Sequence, residues 1–132
     1  MTRGDLQAWV AAYERAWRTP GVAGLAELFA ADATYSTGPY EAPHRGLEAI
    51  SRMWEAERRY ADEEFTLASE VVAVERDTGV VRVDVHYGEG ETREYCDLWI
   101  VRCDAEGRCR AFEEWPFWPA DVDGRVAAGP PA

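Results

Sequence analysis

Along residues 5–18 the apolar side chains Leu6, Trp9, Val10, Tyr13 and Trp17 recur at spacings of three and four, which puts them on one face of a helix. Asp5 reads as the N-cap of that helix and Pro20-Gly21 as its stop. A short second helix is predicted over 22–29, with Leu25, Leu28 and Phe29 inward, and a brief strand over 33–37. Gly38, Pro39, Pro43 and Gly46 then mark a loop, TGPYEAPHRG. A third helix is predicted over 47–60, with Ile50, Met53, Trp54 and Glu57 in register.

After Asp62 the period changes from helical to alternating, and four strands are predicted over 65–75, 80–87, 92–103 and 108–118. The turns at 76–79, 88–91 and 104–107 are short enough to force antiparallel pairing. Three helices followed by a curved antiparallel sheet make an α+β fold. One domain over 1–119 accounts for all of these elements. The closing ADVDGRVAAGPPA offers little to bury and reads as a flexible tail over 120–132.

Charge and composition narrow the function classes. Lys and Arg number 14 against 25 Asp and Glu, a net charge of −11. That balance argues against nucleic acid and against anionic membrane surfaces, both of which call for clustered cations. No apolar run reaches the length of a membrane span. The opening MTRGDLQAWV has no signal-peptide core, so a cytoplasmic protein is expected. Cys96, Cys103 and Cys109 lack the spacing of a zinc or redox site and read as free structural thiols. With His44 and His86 the only histidines, no metal site is expected. The absence of a Ser-His-Asp set or a Gly-rich phosphate loop points to no cofactor. Six Trp, six Tyr and four Phe are enough either to fill a core or to wall an apolar pocket.

Several segments carry a resemblance: AYERAW closing the first helix, then LAELFAADATY, then PYEAPHRGLEAI with Trp54 following, and YCDLWIVRCDAEGRCRAFEEW near the end. In order and spacing, over roughly residues 5–119, they resemble the nuclear transport factor 2-like superfamily and, within it, the SnoaL-like proteins. The resemblance implies a cone-shaped fold with helices packed on a strongly curved sheet, a single hydrophobic pocket and a homodimer. It does not imply a reaction, because members of this superfamily place unrelated chemistry in the same cone.

Strand alternation places Val81, Val83, Val85 and Tyr87 on one face and Arg82, Asp84 and His86 on the other. On the next strand neither face is cleanly polar, and alternation alone does not decide. Likeness to ketosteroid isomerase-type relatives puts Tyr95, Asp97, Trp99 and Val101 inside, with Phe112, Glu114, Pro116 and Trp118 inside on the last strand. Cys96, Leu98 and Ile100 then form an outer face open to a dimer partner. If Cys103 pairs with Arg108 across a four-residue loop, Asp97 falls directly opposite Glu114. Carboxyls placed that way cannot both ionise easily. A bulge at Gly107 would instead bring Glu113 inward. The bland alternatives are that Asp97 and Glu114 are structural acids and that Tyr13 and Trp54 simply pack.

The same likeness exposes departures. Where ketosteroid isomerases carry a general base, this chain reads Tyr35, Ser36, Thr37, Gly38, and at their second catalytic acid it has Trp99. Epoxide hydrolases of the fold use an Asp-Arg-Asp relay, and the inner face here offers no Arg. Scytalone dehydratase-like chemistry needs pocket histidines, but His86 points outward and His44 lies in a loop. Paired inward acids in an aromatic pocket point to cofactor-independent acid–base chemistry, such as cyclisation, isomerisation, dehydration or hydrolysis, on an apolar aromatic or polycyclic molecule. Asp97 and Glu114 are the candidate proton-transfer pair and Tyr13 the candidate hydroxyl donor. Tyr35, Tyr40, Trp54, Val83, Val85, Tyr87, Tyr95, Trp99, Phe112 and Trp118 are the candidate substrate-binding walls. A ligand-binding or accessory protein using the same pocket is the second reading, and a cone filled solid by aromatics the third.

Overall fold

The computed structural model describes residues 1–58, 64–88 and 94–119. The predicted tail, most of the 88–91 turn and the end of the third predicted helix lie outside the described residues. Helix α1 (Arg3–Arg18) starts two residues earlier than its pattern suggests. Thr2 is the N-cap and Asp5 sits three residues on, each side chain bonding the other's backbone N–H, which is a capping box. Helix α2 (Leu25–Leu28) is a single turn. Strand β1 (Phe29–Ser36) takes over Phe29 from the predicted second helix and starts four residues before the predicted strand. A two-residue strand β2 (His44–Arg45) interrupts the predicted loop, and α3 (Leu47–Glu57) follows it.

Strands β3 (Phe65–Glu75), β4 (Thr78–Tyr87), β5 (Glu94–Cys103) and β6 (Cys109–Phe117) complete a sheet in the order β2-β1-β6-β5-β4-β3. The β3–β4 turn is tighter than expected, with Arg76 at φ 57° and Glu75 already paired with Thr78. The meander is antiparallel, but β1 joins β6 in parallel. The long connection between them, through β2, α3 and the rest of the meander, allows that pairing, which no hairpin signal announces.

The sheet wraps one core, containing Leu6, Trp9, Tyr13, Phe29, Tyr35, Trp54, Val83, Trp99 and Phe112 among others. Trp9 packs edge-on against Phe29 and Trp99 at 5.8 and 6.4 Å, and Tyr13 lies 4.5 Å from Trp99. Such ring pairs contribute about 0.5–1.5 kcal/mol each beyond burial. Arg58 fastens the C-terminal end of α3 to that of α1. Its guanidinium donates to the carbonyls of Thr19 and Gly21 and lies 5.5 Å over the Trp17 ring. Among the described residues no helix is long and apolar enough to cross a membrane.

Gly79 is where α1 comes down onto β4, and a Cβ built there would run into the Leu6 side chain. Leu6 is fully buried and has nowhere to retreat. Gly79→Ala is therefore expected to destabilise the fold by about 1–3 kcal/mol, the usual cost of overpacking. Urea unfolding of the single variant and of Gly79→Ala/Leu6→Ala checks this. If the clash is the cause, the two changes are less than additive, and strict additivity would refute it.

Candidate functional site

The inward face of β5 and β6 carries the chemistry. Trp99, Val101 and Phe112 are buried, and Asp97 is 2% exposed in the same layer. Glu114, Pro116 and Trp118 lie on the same side, closer to the end of the sheet where Phe65, Tyr87 and Tyr95 stand, and are partly buried. On the outer face His86 lies beside Glu94 at 3.4 Å, and Arg102 pairs with Glu113 at 2.8 Å. The facing of β4, β5 and β6 is thus the one the alternation and the family likeness suggest.

The register is not. Asp97 is opposite Pro116, and Glu114 is opposite Trp99. Two displacements add up. The hairpin loop holds five residues rather than four, because Asp104 Oδ1 accepts the N–H groups of Glu106 and Arg108 and Gly107 takes φ 83°. Cys103 therefore pairs with Cys109, while Arg102 pairs with Ala111, leaving Arg110 as an extra residue on β6. That bulge turns Arg110 outward to Asp77 at 2.9 Å. A net slip of two residues preserves the facing, since side chains alternate with a period of two. Asp97 and Glu114 are diagonal neighbours on one face, and Glu113 stays outside.

Neither carboxyl has a cation within ion-pairing distance among the described residues. Asp97 Oδ2 accepts from Trp99 Nε1 at 3.1 Å, and Glu114 Oε2 accepts from the Tyr35 hydroxyl at 3.2 Å. Burial pushes the Asp97 carboxyl well above the usual carboxylate range. Glu114 is pushed up first by its surroundings, then by the Asp97 charge, with a smaller contribution from Glu57 on α3. By surface area Glu114 is half-buried where Asp97 is fully buried.

Tyr35 on β1 and Tyr13 on α1 extend the network. Their hydroxyls are 2.7 Å apart, and because Tyr35 donates to Glu114, Tyr13 is the donor to Tyr35. Both phenols are held well above their ordinary pKa, chiefly by burial and then by the Glu114 charge. Tyr95 bonds to Tyr87, stacks on its ring at 6.0 Å and lies at a tilt 6.2 Å from Trp118. Among the described residues, the buried side-chain atoms Trp54 Nε1, Asp97 Oδ1 and Trp118 Nε1 have no hydrogen-bond partner.

Of the residues expected to line a pocket, Tyr87, Tyr95 and Trp118 stand partly buried at this end of the sheet. Trp54, Val83, Val85, Trp99 and Phe112 are buried in the core. Tyr40 does not belong with them. It is 100% exposed on the loop before β2, where Gly38 and Pro39 carry the chain away from the sheet. Two surface hollows, of about 310 Å³ beside Arg3, Gln7 and Val71 and of about 420 Å³ beside Arg18 and Phe65, are lined by neither carboxyl. No group of three or more potential metal ligands occurs among the described residues. Glu57 was visible in the sequence as the polar member of the α3 face bearing Trp54. The Tyr13–Tyr35–Glu114 chain was not, because it depends on the parallel β1–β6 pairing.

Residues 6–112 match the family model for the SnoaL-like domain. Similar solved structures include a candidate polyketide cyclase from Sinorhizobium meliloti, 24% identical, with a TM-score of 0.65 over 86% of this chain and 99% of that one. A candidate isomerase of the SnoaL-like family from Agrobacterium tumefaciens is 18% identical, with a TM-score of 0.67 over 86% and 97%. A steroid delta-isomerase from Pseudomonas aeruginosa is 20% identical, with a TM-score of 0.60 over 91% and 82%. At these identities the likeness is one of fold. No curated protein matches the sequence.

The raised carboxyls give stability a pH dependence whose sign can be worked out. Each binds its proton more tightly folded than unfolded, so its contribution is fully present below the ordinary carboxylate pKa of about 4. It is lost as pH rises from there through the raised folded value, at up to about 1.4 kcal/mol per pH unit per proton. Asp97→Asn keeps an acceptor for Trp99 and removes one of the two ionisations. Its urea midpoint is expected to fall less than the wild-type midpoint between mildly acidic and mildly alkaline pH. Parallel midpoint curves would show that Asp97 is not the buried acid described here.

Proposed function

The chain belongs to the SnoaL-like domain family, and from that premise we propose that it is a cofactor-independent acid–base enzyme acting on a small, largely aromatic molecule. The carrying observation is the pair Asp97, buried, and Glu114, half-buried, on one inner face with no cation within ion-pairing distance among the described residues. A purely structural acid pair would ordinarily be matched by Arg or Lys, because leaving a buried charge unpaired is costly. Unmatched, the two titrate as a unit near neutrality, one ionised to take a proton and the other protonated to give one.

The remaining groups fall into roles around them. Tyr35 holds Glu114 Oε2, and Tyr13 orients Tyr35. Tyr87, Tyr95 and Trp118 are the walls. The rings of Trp9, Tyr13, Trp99 and Phe112 fill the deep end, so the substrate occupies the outer half of the cone and is correspondingly small. That same filling favours the second reading, a ligand-binding module with no turnover. The free thiols of Cys96, Cys103 and Cys109 suit a reducing compartment such as the cytoplasm.

Exchange of the α-protons of 1-tetralone in heavy water, followed by NMR, tests the reading without knowledge of the natural substrate. The wild-type protein is expected to accelerate exchange, and Asp97→Asn and Glu114→Gln each to cut the acceleration by about 100-fold or more. Exchange unaffected by either substitution, or none with the wild type, would replace catalysis with binding.

A homodimer through the outer sheet face is part of the same proposal. Leu98 stands opposite Trp115 and Cys96 opposite Phe117, and Leu98 and Phe117 are 39% and 53% exposed. An apolar strip on a face that would otherwise be polar suits a self-complementary contact. Leu98→Asp is expected to convert a dimer to a monomer in sedimentation velocity. A wild-type protein that is already monomeric would remove the proposal.

A further inference from the structure

Cys103 closes β5, Cys109 opens β6, and the two stand directly opposite each other across the hairpin. Beyond them the Asp104 N–H donates to Arg108 O, while the Cys103 N–H turns the other way, to Asp77 O. The cysteines therefore exchange no backbone hydrogen bonds. Pairs of that kind bring their Cα atoms to about 4.5 Å and their side chains closest together. A disulfide calls for Cα atoms about 4.4–6.8 Å apart and Cβ vectors on one side. Both side chains lie on the inner face: Cys109 is fully buried in the core, and Cys103, half-buried, packs against it. Both are free thiols.

This juxtaposition is a product of the hairpin's turn chemistry. With a four-residue loop and Cys103 opposite Arg108, Cys109 would fall opposite Arg102 and turn outward with it, on the face away from Cys103. The fifth loop residue, held by Asp104, brings the two cysteines together on one side. Cys96 takes no part. It lies near the opposite end of β5, on the outer face, across from Phe117.

We propose that Cys103 and Cys109 are a redox-active pair that closes into a cross-strand disulfide, with glutathione disulfide as the oxidant. The proposal is independent of the acid–base reading. Cys103, the more accessible of the two, gives up its proton, and its thiolate attacks one sulfur of the oxidant. A mixed disulfide forms and one glutathione thiolate leaves. Cys109 then gives up its proton and attacks the Cys103 sulfur, releasing the second glutathione thiolate. The protein thiols lose two electrons, the oxidant's S–S bond takes them, and the two protons end on the two glutathiones.

Burial pushes the Cys103 thiol up to about 11 and the Cys109 thiol up to about 12, so the bond forms slowly at neutral pH. The same property protects it once made, because neither sulfur is a ready leaving group. The bond fixes Cys109, which begins β6 and pairs with Phe29 on β1. It thereby holds the register that sets Asp97 diagonal to Glu114.

Wild-type protein and Cys96→Ser are equilibrated without oxygen in glutathione redox buffers at mildly alkaline pH, quenched with acid, alkylated and digested with trypsin. Cleavage after Arg102, Arg108 and Arg110 puts each cysteine of the pair on its own short peptide. The expected product is the 103–108 peptide joined to the 109–110 peptide, with Cys96 alkylated in the wild type. The same equilibrium is then measured in concentrated urea. The ratio of disulfide to dithiol is expected to be about tenfold or more higher in the folded protein than in the unfolded one, and the oxidised form to have the higher urea midpoint. Thiols that stay reduced, a glutathione adduct that stalls on Cys103, a bond from Cys96 to either partner, or a ratio no higher folded than unfolded would overturn the proposal.

Discussion

Two carboxyls on the inner face of an aromatic cone, with no counter-cation among the described residues, set the terms for the rest of this molecule. Burying Asp97 and Glu114 works against folding at neutral pH, and the structure offsets that in specific ways. Trp99 and Tyr35 each give one hydrogen bond, and the raised pKa values let the pair retain a proton instead of two charges. The surrounding rings supply the apolar contact that keeps the layer closed. A protein selected for stability alone would have placed Leu or Met at either position.

The hairpin between β5 and β6 shows how a site can be legible while its geometry is not. Facing is a parity property, and it was readable from Val81, Val83 and Val85 together with the family likeness. Register depends on local turn chemistry. Here Asp104 captures two backbone N–H groups, lengthening the loop by one residue, and Arg110 bulges outward to reach Asp77. Each displacement alone would have put Glu114 outside. Together they return it to the inside, one pair further along. The helix boundaries failed for similar local reasons. Thr2 with Asp5 formed a better cap than Asp5 alone, and Phe29 went to β1 because its ring is needed between Trp9 and Tyr35.

Long-range pairing was the other thing the pattern did not contain. The parallel contact of β1 with β6 brings Tyr35 beside Phe112 and so within reach of Glu114. No turn joins those strands, and no spacing announces them. The Tyr13–Tyr35–Glu114 chain is therefore a tertiary property built from residues whose local roles are ordinary. Tyr40 is the reverse case. As an aromatic near two prolines it had the composition of a pocket residue, but nothing in the loop turns it inward.

The aromatic content that made a pocket expectation attractive also limits what the pocket can hold. Trp99 occupies the inner-face position where the isomerase relatives were expected to carry an acid, and its ring closes the deep end against Trp9 and Tyr13. Its indole nitrogen is satisfied by Asp97, so the residue that removes volume also anchors the acid beside it. Trp54, buried against Tyr13 and Trp17, closes the same layer from the α3 side. Shape complementarity in that layer is spent on the protein's own rings, and Asp97 sits within it while Glu114 stands half-buried toward the end of the sheet that Tyr87 and Tyr95 share.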